Sequence, residues 1–451
     1  MSSFSLKQQA IRGTIWTIIG YGTGNILRLG NNLILTRLLV PELFGLMALV
    51  YVFLTGLHLF SDVGIGPSIV QNKRGDDPDF LNTAWTIQIL RSFGIWLVCI
   101  IIAWPIANLY AEPKLIWLIP IVGLNTIISG FNSTALFTLE RKIAVQKLTL
   151  LDLGIQVISF SVLVIWAYLS PSIWALVGGS IISNLLQLIM SHRLIPEYSN
   201  RLKWDREAAK EIFSFGKWVF FSTAATFLAT QADRIILGKL FSLTTLGIYT
   251  IALTFASLPQ AIISQLAGQV MFPIVSKLTD LPREILREKI LDKRQFVLAG
   301  IGLIVIFLTC FGDLLVLNLY DDRYAQASWM LPILALGIWP YLLFETSRQS
   351  LMAIGKPEYQ AYGQFLKSLH VLIGLPLGFY LLGLPGIIIV IALNDIELYG
   401  VITYALWQEK LGCFKQDIKA TALLLITLAL ILTGRYMLGF GFPISQLFIV
   451  K

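Results

Sequence analysis

Three cysteines and three histidines in 451 residues leave little material for redox or metal chemistry. Cys99 and Cys310 fall inside apolar stretches and Cys413 in a short polar one, a spacing that builds neither a disulfide framework nor a zinc site. They are expected to pack as small buried hydrophobes. Charge is scarce as well: 13% of residues are Asp, Glu, Lys or Arg, and the longest stretches outside hydrophobic runs, about 190–212 and 267–295, are too short for a soluble domain. A Walker A glycine loop, a GxSxG elbow, metal-type histidine spacing and paired carboxylates on a large loop are all missing. No cofactor, metal site or catalytic residue is therefore expected. Asp77-Pro78-Asp79 matches the short DxD pattern of nucleotide-sugar enzymes, yet Asp as N-cap with Pro at the first helical position explains it better.

What the chain has is hydrophobic length: 56% of residues are apolar or aromatic and mean hydropathy is +0.75. A membrane-spanning helix needs about 20 mostly apolar residues, because the hydrocarbon core is roughly 30 Å thick and each residue rises about 1.5 Å. Thirteen stretches qualify: 13–36, 43–66, 81–103, 115–137, 148–168, 173–190, 213–236, 244–266, 296–317, 328–352, 361–381, 385–405 and 418–434. The first lacks a small-residue cleavage site and is expected to be a retained helix rather than a signal peptide. The apolar tail Gly439 to Val450 is too short to cross and reads as an interfacial segment or the stump of a fourteenth helix.

The net charge of +8 follows the positive-inside rule and needs no nucleic acid. With the N-terminus in the cytoplasm, inner segments hold 23 Lys or Arg and outer loops five: Arg37, Lys114, Lys239, Arg323 and Arg435. This asymmetry predicts an N-terminus on the cytoplasmic side; the cytoplasmic membrane is the expected location. The basic segment Pro282 to Arg294 reads as an amphipathic helix on the inner surface. Gly20-xxx-Gly24 and Gly374-xxx-Gly378 read as sites where helices approach closely.

Shifted by 202 residues, the chain matches itself: Trp16 falls on Trp218, Leu33 to Leu35 on Ile235 to Leu237, Arg37-Leu38 on Lys239-Leu240, and Gly45 on Gly247. A weaker echo lays Leu136 to Leu139 over Leu351 to Ile354. Six helices separate the copies, so both enter the membrane in the same direction. The expected fold is all-α and polytopic: two parallel-repeat six-helix bundles around a central cavity, plus an extra C-terminal helix or incomplete pair. By residues, 1–195 forms a first lobe, 196–212 a cytoplasmic linker, 213–410 a second lobe, and 411–451 the extra helix and tail.

A charge at mid-bilayer costs about 2.5–3.5 kcal/mol on insertion scales and normally faces a wet cavity. Arg28 and Arg91 lie near the middle of spans one and three, Arg234 toward the outer end of span seven and Arg348 in the last turns of span ten. These four are the candidates for binding substrate in a cationic cavity; for Arg28 and Arg91 the alternative is a structural role, such as bonding carbonyls between helices. Arginine's planar fork suits phosphate, so the cargo is expected to be anionic. Lys217 and Arg234, near helix ends, can also snorkel, and Glu345 with Arg348 can pair at i, i+3. Asp62, Asp233, Glu345 and His58 are candidates for binding a coupling ion; Asp395 and Glu397 are further acidic groups within spans.

Leu35-Thr-Arg-Leu-Leu-Val-Pro-Glu-Leu-Phe-Gly45 with Asp62-Val-Gly-Ile-Gly-Pro67, and Ala232-Asp-Arg-Ile-Ile-Leu-Gly-Lys-Leu240 with Leu246-Gly-Ile-Tyr249, carry a resemblance. In order and spacing the chain resembles the Wzx-type lipid-linked oligosaccharide flippases, the polysaccharide transporter branch of the multidrug/oligosaccharidyl-lipid/polysaccharide exporter superfamily. The resemblance implies movement of an undecaprenyl-diphosphate-linked sugar unit from the inner to the outer leaflet, for surface or exopolysaccharide assembly, by alternating access. It implies membrane lipids, a polymerase and chain-length machinery as partners. It supplies no residue-by-residue site motif, so the arginines rest on the membrane-charge reasoning alone. A small-molecule exporter of the same superfamily is the alternative; a membrane polymerase or ligase fits less well, since such enzymes need a sizeable external loop.

Overall fold

Proline, glycine and short polar side chains set the helix boundaries in this computed structural model. It describes residues 6–141, 145–193, 195, 200–276, 278–279, 281–445 and 447; within helices, the side chains of 6–15, 18, 145, 215–222, 224–225, 269–270 and 273–274 are also outside the description. Lys142, Lys277 and the end of the apolar tail lie outside the described residues, as do the side chains of Lys7, Arg12, Lys217 and Trp218. Contacts divide the chain into two units, 1–227 and 228–451.

The first unit contains α1 (Leu6–Leu38), α2 (Pro41–Phe60), α3 (Ile65–Gln71), α4 (Pro78–Tyr110), α5 (Leu115–Gly130), α6 (Ala135–Arg141), α7 (Val145–Leu169), α8 (Ile173–Arg193) and the first part of α9 (Arg206–Leu240). Pro41 and Pro78 occupy first-turn positions, where the missing N–H is not needed. Asp77 caps α4, accepting from the Asp79 N–H at 3.1 Å, as the capping reading of Asp77-Pro78-Asp79 expects. α1 packs on α7 and α4 on α5. A Cβ on Gly20 would stand 2.2 Å from Thr149 Cγ2, so the small residue sets how closely α1 meets α7. Outside the bilayer-crossing helices, Arg74 bonds Asp77, Asp205 and Glu211, tying the α3–α4 loop to the segment that enters α9. The guanidinium holds the Asp205 carboxyl below its usual range.

The second unit contains the rest of α9, then α10 (Leu243–Leu266), a π-helical turn (Ala267–Met271), α11 (Phe272–Ser276), α12 (Arg283–Leu319), a 3₁₀ turn (Asp322–Tyr324), α13 (Ala327–Leu336), α14 (Ile338–Ala353), α15 (Glu358–Leu382), α16 (Leu384–Leu393), α17 (Ile396–Gln408) and α18 (Phe414–Met437). Two apolar clusters form its core, one built on α12, α13, α14 and α18 and the other on α12, α14 and α17. α7, α8, α15 and α18 expose most of their apolar surface, as helices facing lipid do.

Every one of the thirteen expected spans falls on a helix or a helix pair. Among the described residues, ten helices are long and apolar enough to cross, or eleven if the pair α5–α6, bent by 61°, counts as one. α1 and α9, whose side chains are only partly described, are not among those ten. Two expectations change. The basic segment 282–294 is not a separate surface helix but the first turns of α12, whose 37 residues run without a break and bury Leu286 and Ile290 in the core. Arg294, Lys367 and Arg435, read as loop charges, are instead buried or nearly buried in ion pairs with Asp417, Asp395 and Asp313. Removing them from the tally leaves the charge asymmetry in the same direction.

α15 and α16 approach closely, with a Cβ on Gly386 placed 2.0 Å from the Gly378 carbonyl oxygen. Since backbone cannot step aside, Gly386→Val should part the two helices and lower stability by about 1–3 kcal/mol. Gly434→Ala, facing open space, should not. Thermal unfolding of both variants in detergent checks the difference.

Candidate functional site

Several spans expected to be continuous are broken, and the breaks carry polar groups. α2 ends at Phe60; Asp62 Oδ1 then accepts from the Gly64 N–H at 2.9 Å, and Gly64 takes a φ of 66° that only glycine adopts without strain. α5 and α6 part at Phe131 to Thr134, and α16 and α17 at Asn394-Asp395. Irregular backbone at membrane depth is tolerated where it lines a cavity.

In the first unit the breaks line one. A cavity of about 490 Å³ is bounded by Asp62 and Gly66 from the first break, Gly130, Asn132 and Ser133 from the second, Gln88 and Arg91 from α4, and His58, Glu140, Asp152 and Gln187. Arg91 is half-buried there. Its Nη2 donates to the His58 carbonyl at 2.7 Å and its Nε to Ser61 Oγ at 3.0 Å, so it holds the end of α2. Its Nη1 makes no hydrogen bond among the described residues.

A smaller cavity of about 210 Å³ lies between α1 and α7, lined by Tyr21, Asn25, Arg28, Thr149, Asp152 and Gln156 among others. Arg28 is exposed and forms no hydrogen bond or ion pair among the described residues. Asp152 borders both cavities and so connects the neighbourhoods of Arg28 and Arg91.

The second unit has a cavity of about 320 Å³ lined by Asp233, Arg234, Lys367, Asn394 and Asp395 with the hydroxyls of Thr230, Thr250, Thr254 and Ser257. Its charges balance, with two acids and two bases. Lys367 Nζ donates to Asp395 Oδ1 at 2.6 Å, and Arg234 Nη1 to Gln231 Oε1 at 2.6 Å. Asp233 Oδ2 accepts from the Tyr249 hydroxyl at 2.5 Å, while its buried Oδ1 has no partner. Arg348 is not among the lining residues. It is held on α14 by Glu345, Nε to Oε2 at 3.0 Å and Nη2 to Oε1 at 2.5 Å, and by Gln360 at 3.0 Å. Glu345 is buried and also accepts from Gln349.

A family model described as polysaccharide biosynthesis protein matches residues 34–329. The chain belongs to this family.

Teichuronic acid biosynthesis protein TuaB of Bacillus subtilis (strain 168) is 23% identical over 79% of this chain and 74% of its own length. Succinoglycan biosynthesis transport protein ExoT of Rhizobium meliloti (strain 1021) is 23% identical over 67% of this chain, and lipopolysaccharide biosynthesis protein WzxC of Escherichia coli (strain K12) 21% over 61%. The chain spans 61% and 56% of those two. Lipid II flippase MurJ, in an inward closed conformation, superposes with a TM-score of 0.70 at 14% identity, over 93% of this chain and 92% of that one. An inward-facing multidrug resistance MATE family transporter gives 0.66 at 14% identity, over 87% and 99%. The fold is thus that of these helical membrane transporters.

For this polysaccharide biosynthesis protein, then, the structure brings Arg28 and Arg91 to adjoining cavities, places His58 and Asp62 beside Arg91, and puts Asp233 and Arg234 in a cavity of the second unit. Glu345 and Arg348 satisfy each other. Sequence reasoning missed Asp152, Glu140 and Lys367. All three sit close to the ends of apolar windows, where a charge looks like loop. Asp152 is eight residues inside α7 and Lys367 ten inside α15, depths that would have marked them.

Proposed function

We propose that this protein flips polyprenyl-diphosphate-linked oligosaccharide units from the inner to the outer leaflet of the cytoplasmic membrane during surface polysaccharide assembly. The observation that supports it is the pair of adjoining cavities around Arg28 and Arg91, the second of them at helix breaks, in a chain of the polysaccharide biosynthesis family. Two guanidiniums lining adjoining polar cavities, one exposed and one half-buried, suit a diphosphate or acidic sugar. The lipid tail stays in the bilayer, and alternating access carries the head group across. No bond is made or broken, so the protein acts as a transporter rather than an enzyme. A polymerase and chain-length machinery would take up the product. Asp62 and His58 beside Arg91, and Asp233 with its unpartnered Oδ1, are the groups proposed to couple transport to an ion; Arg234 is proposed to contact cargo, and Arg348 to position Glu345.

Deleting the gene should abolish the surface polysaccharide and leave lipid-linked units shielded from an external glycosidase in intact cells, exposed to it in inverted vesicles. Units that reach the outer leaflet but stay unpolymerised would overturn the proposal in favour of a polymerase. The orientation has its own test. Burial raises the pKa of Cys413 and hides its sulfur, so the native thiol is a poor reporter. In a cysteine-free background, Lys289→Cys should react with an impermeant thiol reagent only in inverted vesicles, and Lys114→Cys in intact cells. The opposite pattern would reverse the proposed direction.

A further inference from the structure

At one pole of the second unit, where α12 begins, α17 ends and α18 begins, lies a cavity of about 990 Å³ that the transport reading does not use. Four cations line it, Arg283, Arg287, Lys410 and Lys415, against one acid, Glu284. Their pairing within the protein is thin. Lys410 and Lys415 are exposed and form no ion pair or hydrogen bond among the described residues. Arg283 meets Glu409 only at 3.6 Å, and that carboxylate is engaged by Lys356. Arg287 spends its Nε on the Gly412 carbonyl at 2.7 Å. Four like charges around one cavity repel one another unless an anion sits among them.

The rest of the wall is apolar and left open. Gly400, Thr403, Tyr404 and Trp407 follow one another at i, i+3, i+4 and i+7, a single stripe of α17. Tyr404 is 56% exposed, Trp407 71% and Phe414, at the start of α18, 55%. Such rings belong at the boundary between head groups and acyl chains. The pattern of α12 agrees: its 37 residues, about 55 Å at 1.5 Å each, exceed a hydrocarbon core of roughly 30 Å, and its charges are concentrated in the first turns, at the end that lines this cavity. Cations at head-group depth and an aromatic groove running toward the hydrocarbon form a site for one amphiphile.

We propose that this cavity binds an anionic glycerophospholipid of the surrounding leaflet, with Arg283, Arg287, Lys410 and Lys415 around its phosphate and an acyl chain along the Gly400 to Trp407 stripe. A bilayer phospholipid fits better than the diphosphate cargo because two of the cations are exposed lysines, point charges without arginine's two-pronged geometry. These hold an abundant ligand loosely, as a resident lipid requires. The site is separate from the transport cavities and does not depend on their assignment.

The test uses the full-length protein in nanodiscs of phosphatidylcholine with one fifth phosphatidylglycerol. After extraction in mild detergent, co-purifying lipid is quantified by mass spectrometry. The wild type should retain phosphatidylglycerol well above its share of the disc. Lys410→Gln with Lys415→Gln, which breaks no contact within the protein, should lower that enrichment roughly tenfold at unchanged melting temperature. Lys289→Gln with Lys293→Gln, exposed on α12 outside the cavity, should leave it in place. No enrichment in the wild type, or equal losses in both double variants, would overturn the proposal, the second by showing general surface attraction. Displacement of phosphatidylglycerol by a tenth as much undecaprenyl diphosphate would overturn it too, giving the site to the cargo.

Discussion

Asp417→Ala should markedly lower the stability and abundance of the folded protein. Asp417, in the first turn of α18, faces Arg294 of α12, and the two side chains are 3% and 0% exposed. Around them Arg294 Nε donates to Thr346 Oγ1 at 2.9 Å, Nη1 to Gln416 at 3.1 Å and Nη2 to the Leu343 carbonyl at 3.3 Å, while the Tyr399 hydroxyl donates to Asp417 at 3.0 Å. Four helices meet in this network. Removing one partner strands the other charge without water, which costs about 3–5 kcal/mol, a large share of the roughly 5–15 kcal/mol that separates folded from unfolded protein. The folded-to-unfolded ratio therefore falls about a hundredfold or more. Arg294→Met together with Asp417→Leu removes both charges and should recover much of the loss, since apolar residues of similar volume replace buried pairs at little cost. Abundance and melting temperature, measured for the single and double variants, decide it. A single variant as stable as the wild type would show the pair to contribute nothing.

The same helix pair carries a second clamp of reversed polarity. Arg435, near the far end of α18, bonds Asp313 of α12 with Nη1 to Oδ1 at 2.7 Å. Arg294 and Asp313 are 19 residues apart on α12, and Asp417 and Arg435 are 18 apart on α18, so both helices present their partners about 27–29 Å apart. Because one helix reads base then acid and the other acid then base, only the parallel alignment satisfies all four charges. The clamps thereby fix the register of the extra helix against its lobe.

None of this was legible in the sequence, and the reason is physical. Hydropathy averaged over some 20 residues finds the apolar middle of each helix, because burying that middle in lipid dominates its energetics. Helices here run well past the hydrocarbon, as α12 does over 37 residues, so Arg294 and Arg435 fell outside their windows and were counted as loop charges. Breaks were lost for the opposite reason. One Asp and one Gly at 62 and 64 barely lower a window average, yet the Asp62 turn ends α2. Arg28, Arg91 and Arg234 could be read because a charge deep in an apolar run is costly wherever it points. What each touches could not. Arg91 holds helix carbonyls as well as facing a cavity, and Arg348 turned to Glu345 as its i, i+3 spacing allowed.

That difference between Arg28 and Arg91 separates binding from scaffolding. Arg28 bonds nothing among the described residues, so Arg28→Ala should leave abundance and melting temperature unchanged. If it holds the cargo's phosphate, the variant loses a charge-assisted contact worth about 1.5–3 kcal/mol, and transport should fall roughly 10- to 100-fold. Lys at this position keeps the charge without the two-pronged geometry and should restore only part of the rate. Glu should be worse than Ala, placing repulsion where attraction was needed. Arg91→Ala should do two things at once, since it frees the His58 carbonyl and Ser61 as well as emptying the cavity: stability and transport should fall together. Arg91→Lys reaches one acceptor and should recover stability more than transport. Flux of a fluorescent lipid diphosphate in proteoliposomes, normalised to inserted protein, measures both series. Unchanged flux in Arg28→Ala at normal abundance would remove Arg28 from the proposed cargo site, and unchanged flux in both alanine variants would sink the cationic-cavity mechanism while the family membership stood.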